Sequence, residues 1–144
     1  KRETSRVPEA QRIVDIHEHG DEEKEIGPDW VATPMVAEAY RILALEKEKL
    51  DTVDLRVSAV SVGDFAMVGI TGEPFCELGE LVRGASPYPF TFMCSVVNGS
   101  GDYFPNAVAY EQGGYEPANT RFVKGTGEKM AEACVALLRK LYQS

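Results

Sequence analysis

The sequence predicts an α/β fold: a small mixed β-sheet, made of a hairpin and a βαβ crossover, packed with helices. Three observations lead there. Thr52 to Val62 alternates apolar and polar residues over most of its length, the period of a half-covered strand. Phe65 to Ile70 follows after only Gly63-Asp64, a spacing that makes the two runs a hairpin. Phe90 to Val97 is a further apolar run, separated from the second by a helical pattern. Strand, helix and strand in that order give a right-handed crossover whose two strands lie parallel.

Size and composition bound the rest. The 144 residues, 44% hydrophobic and 26% charged, suffice for one domain spanning 1–144 with a real core. A net charge of −8 without any Lys/Arg cluster makes nucleic acid and anionic membrane surfaces poor partners, and no nucleic acid is expected. No apolar run approaches the roughly 18 residues of a spanning helix, so no transmembrane segment is expected. The opening Lys1-Arg-Glu-Thr-Ser-Arg6 has no signal-peptide pattern and reads as a point inside a longer polypeptide. Cys76, Cys94 and Cys134 are far apart, form no CxxC pair and sit among apolar residues. They read as buried, inert thiols, and their odd number favours a reducing, cytoplasmic setting over a secreted or periplasmic one.

Taken in order, residues 1–30 form a polar segment. Pro8 to His19 makes a short helix with Ile13, Val14 and Ile16 as its apolar positions. It leads into His17-Glu-His-Gly-Asp-Glu-Glu-Lys-Glu25, two histidines among five acids, read as a solvated acidic loop. The string is not HExxH, because His17 and His19 are two apart and do not share a helix face. Pro34 stands near the start of the next helix, whose stripe is Val36, Tyr40, Leu43 and Ala44. In the following strand Val53, Leu55, Val57 and Ala59 share a face, and a slip of phase at Val60 predicts a bulge. Phe65–Ile70 and Phe90–Val97 read as buried strands, because they are apolar on both faces. Between them a helix runs through Phe75, Leu78, Leu81 and Val82 to about Arg83, with Gly84 as its stop. Glu128 to Tyr142 is a core helix with Met130, Ala133, Cys134, Leu137, Leu138 and Leu141 in its stripe. Gly125-Thr-Gly-Glu-Lys129 lacks the spacing of a phosphate loop, and the sequon Asn98-Gly-Ser100 is too common a pattern to weigh.

The chemistry-bearing stretch is Gly72-Glu73-Pro74. Gly72 allows the chain to turn closely after the strand, and Pro74 suits a first helical turn. Glu73 then stands between a strand end and a helix start, where open α/β sheets collect ligands. A carboxylate there serves as a metal ligand or general base, or else merely caps the helix and complements its dipole. The crossover sends the end of the second parallel strand to the same sheet edge. Its continuation, Asn98-Gly-Ser-Gly-Asp-Tyr103 and on to Pro117, is a long glycine-rich loop bearing Tyr103, Tyr110 and Tyr115. One carboxylate and several tyrosines make half of a site, since a hydrolytic metal takes three or four protein ligands with histidine prominent.

Gly72-Glu73 after an apolar strand, Asn98 through Tyr103, and Tyr110-Glu-Gln-Gly-Gly-Tyr115-Glu116 together resemble the neutral/alkaline non-lysosomal ceramidase family, in particular its bacterial members. The resemblance covers roughly residues 55–141. It implies that the chain is the C-terminal portion of a zinc-dependent hydrolase domain acting on linear amides, with ceramide, a sphingolipid, as the family's substrate. It implies Glu73 and Tyr103 as zinc ligands and Tyr115 as the group that polarises the amide carbonyl. The two zinc histidines of the family lie in a segment preceding the part that this chain resembles, and His17 and His19 do not match them. The implied partner is therefore an N-terminal part of the same protein, and the isolated chain is expected to be inactive. The other reading is a non-catalytic binding module that uses the 98–117 loop. A half-domain would expose apolar sheet surface, so self-association into a homo-oligomer is expected.

Overall fold

Among the described residues, two hydrophobic cores organise the chain. The computed structural model describes residues 3–49 and 51–144; Lys1 and Arg2 of the polar opening, and Leu50, lie outside the described residues. The chain divides into a unit ending at Val53 and a second running from Asp54 to Ser144.

The first unit is helical. After a 3₁₀ turn at Thr4–Arg6, α1 (Val7–His19) packs against α3 (Asp29–Glu48). Ala10, Ile13, Val14, Val36, Ala39 and Ile42 close its core. The acidic stretch is no loop: α1 continues to His19, and Asp21 accepts a hydrogen bond from the Lys24 amide to start α2 (Glu22–Glu25). His17 is taken up locally, hydrogen-bonded to the Glu22 carboxylate and edge-on to Tyr40. Helix α3 begins at Asp29, so Pro34 lies inside it, where its ring removes the bond to the Trp30 carbonyl. Packing against α1 also selects a different stripe. Ala32, Val36, Ala39, Ile42 and Leu45 are buried, whereas Tyr40 and Ala44 face out and the Tyr40 hydroxyl donates to Glu18.

The second unit holds the expected mixed sheet. β1 (Val57–Val62) and β2 (Phe65–Ile70) form the antiparallel hairpin, and β2 pairs in parallel with β4 (Phe90–Cys94), in the order β1-β2-β4. α4 (Cys76–Ala85) makes the crossover. α4 and α7 (Thr126–Tyr142) cover one sheet face, with Ala66, Val68, Ile70, Leu78, Val82, Met130, Cys134 and Leu138 in the core. In α7 the buried stripe takes Ala131 and Val135 in place of Ala133 and Leu137.

Several local expectations are corrected. The β1 register runs unbroken from Val57 opposite Ile70 to Val62 opposite Phe65, so there is no bulge. Val60 breaks the apolar phase because it lies on the uncovered face. For the same reason β2 and β4 are buried on one side only: Phe65, Met67, Phe90 and Phe92 are all about half exposed. β4 stops at Cys94, because Val96 turns left-handed at φ 56°. α4 passes through Gly84 and ends before Ser86, whose following Pro87 disfavours helix at that residue. Among the thiols only Cys134 is buried; Cys76 is exposed and Cys94 half-buried.

Candidate functional site

Pro74 does not open a helix. Glu73 and Pro74 form a short strand, β3, which pairs in parallel with β5 (Tyr103–Phe104), and α4 starts only at Cys76 with Phe75 as its cap. The Glu73 amide donates to the Asp102 carbonyl at 3.0 Å and the Phe75 amide to the Phe104 carbonyl at 3.1 Å. Glu73 thus caps no helix; its backbone is held in a two-strand ladder. Glu73 lies directly opposite Tyr103 in that ladder, so the two side chains leave it on the same face.

The crossing is tight, and glycine makes it so. A Cβ on Gly72 would stand 2.3 Å from the Asp102 carbonyl oxygen and 2.4 Å from the Phe104 ring. One on Gly101 would stand 2.6 Å from the Thr71 carbonyl oxygen. Gly72 is therefore needed for close approach of two backbones, the second use of a glycine beside the turn expected of it.

β5 alternates as a strand must. Phe104 turns into the core, 1% exposed and stacked on Phe122 with ring centroids 4.6 Å apart, which leaves Tyr103 on the outer side. Asp102 fixes the entry to β5. One carboxylate oxygen accepts from the Tyr103 amide at 3.0 Å, the other from the amide and Nε of Arg121 at 2.7 and 3.0 Å. Thr120, fully buried, donates from its hydroxyl to the Tyr103 carbonyl at 2.8 Å. The long loop is in fact built: α5 (Ala107–Gln112), capped by Asn106, and α6 (Tyr115–Asn119) follow β5.

Tyr115, at the start of α6, brings its ring edge-on to Tyr103, with centroids 6.0 Å apart and planes at 75°. Glu73, Tyr103 and Tyr115 are therefore together. Tyr110 is elsewhere, its hydroxyl donating to the Phe122 carbonyl at 3.1 Å. The Tyr103 phenol is pushed above the usual tyrosine range, chiefly because the Glu73 carboxylate opposes the phenolate. Partial burial, Tyr115, Glu116 and Asp102 add to the effect. Glu116 and Asp102 stand inside the motif stretches quoted above, yet the sequence assigns neither a role. Asp102 adjoins Tyr103 and Glu116 adjoins Tyr115, but no spacing rule marks either.

Taken as a donor set for a metal, Glu73 and Tyr103 supply two positions on one face. Among the described residues no three His, Cys, Asp or Glu side chains converge as a metal-holding group. The residues present fit half of a zinc site and do not complete one. No described helix is long and apolar enough to cross a membrane. Comparison with known proteins gives no match, whether to family models, to curated proteins or to solved structures. The ceramidase resemblance rests on its motif residues alone.

Proposed function

We propose that this chain contributes one side of the active site of a zinc-dependent amide hydrolase of the ceramidase kind, and that it is inactive by itself. The observation that carries the reading is the direct opposition of Glu73 and Tyr103 on β3 and β5, with Tyr115 against the second of them. Glu73 supplies an anionic oxygen on a backbone fixed by hydrogen bonds on both sides. Tyr103, with its phenol pushed up, holds its proton until a cation offsets the Glu73 charge. Tyr115, half exposed, has a hydroxyl free to donate to the oxygen of a scissile amide as charge develops there. Zinc, when held by these two residues and by histidines from an N-terminal part of the same protein, supplies Lewis acidity at neutral pH.

The test is made in the polypeptide that includes the N-terminal part. Zinc content and hydrolysis of N-acyl amides are both expected to fall at least a hundredfold in Glu73→Ala and Tyr103→Phe. Normal hydrolysis by both variants would falsify the assignment. The absence of a complete metal-holding group among the described residues favours one second reading, a non-catalytic module binding through residues 98–117. That reading is distinguished by tight ligand binding to the 144-residue chain with no zinc requirement and no turnover.

A further inference from the structure

The sheet of the second unit has one face covered by α4 and α7 and another that carries no covering element of its own unit. Register sets out what the second face presents. Val62, Phe65 and Phe90 form one row across the three strands, and Val60, Met67 and Phe92 form the next. All six are between 49% and 77% exposed, and Phe65 stacks on Phe90 with centroids 4.8 Å apart. The third row, Ser58, Gly69 and Cys94, is closed off where the Val97 side chain sits over Gly69, within 3 Å of where a Cβ would be. No row contains an acidic or basic residue.

We infer that this face is a self-association surface, on which a second copy of the chain seats its own sheet. The six side chains expose on the order of 600 Å² together, at or above the upper limit of about 300–600 Å² for the largest apolar patch on a monomer. Two such faces in contact remove roughly 1,200 Å² from water, the lower bound of about 1,200–2,000 Å² for stable interfaces. Charge leaves that occupant open and disfavours others: the net −8 of each chain is not concentrated at this face, whose rows hold no charged side chain, and it has none of the cations that would recruit nucleic acid or an anionic lipid. Sheet faces pack about 10 Å apart with strands some 30° from alignment, a geometry a twofold axis satisfies with the same six residues on both sides.

Sedimentation equilibrium of the 144-residue chain tests this. At about 100 μM the chain is expected to sediment at twice its 15.8 kDa mass. Phe92→Glu and Met67→Lys, each placing a charge in the middle row, are expected to sediment as monomers with unchanged far-UV circular dichroism. A second measurement needs no substitution: on dilution the Met67 methyl resonance shifts while that of buried Met130 stays. A monomeric wild-type chain, an open series of larger species, dimers that survive both substitutions, or a stationary Met67 signal would each overturn the inference.

Discussion

At the scale of single residues, the candidate site depends on side chains that are absent as much as on those present. Gly72 and Gly101 let the chain after β2 and the chain entering β5 touch backbone to backbone, and only then do Glu73 and Tyr103 face each other. Gly72→Ala is expected to cost about 1–3 kcal/mol in urea unfolding, because its methyl meets a carbonyl oxygen and a core ring that cannot both move aside. A change below about 0.5 kcal/mol would mean that the crossing is looser than described. The ceramidase resemblance singles out Tyr103 and Tyr115 over Tyr110; from local pattern alone, Glu73 after a strand and the tyrosines of a glycine-rich loop were legible. Asp102 was not. Its carboxylate gathers Tyr103 and Arg121 through bonds that only the folded loop creates.

At the scale of elements, the hairpin, the parallel crossover and both long helices were legible, because each rests on a strong period or a two-residue turn. What failed shares one cause: a pattern gives a residue's period but not whether a neighbour covers it. β2 and β4 are apolar on both faces, so they read as buried although one face is open. The period puts Tyr40 in the stripe of α3, yet α1 packs one step round the helix, on Ala39 and Ile42. Proline misled twice. Pro74 suggested a helix start but sits in a strand pair, and Pro34 suggested one but lies within α3. Its missing backbone bond makes Pro34→Ala a stabilising change, expected to raise the unfolding free energy of the first unit by about 1–3 kcal/mol, followed by circular dichroism in urea. Loss of stability would show that α3 needs the ring at that place.

At the scale of the whole molecule, the apolar positions of the first two long helices are visible as periods, but no pattern tells that residues up to Val53 close a core of their own. Ala10 of α1 and Ala39 of α3, small and buried in that core, are inconspicuous in the sequence yet let the two helices approach. The second unit holds the proposed site, and its central feature is topological. Glu73 and Tyr103 belong to different strands, brought opposite one another by the crossover, by the left-handed turn at Val96 and by the ties of Asp102. One measurement reads that arrangement directly: alkaline titration of the Tyr103 ring resonances by NMR, in the wild-type chain and in Glu73→Gln. With the carboxylate facing the phenol, wild-type Tyr103 keeps its proton above the ordinary value of about 10, and stability falls as pH rises from there through the raised value, since the folded chain then holds the extra proton. Glu73→Gln should bring the Tyr103 midpoint down toward 10. The same midpoint in both proteins would contradict the opposition of Glu73 and Tyr103, and the proposed site with it.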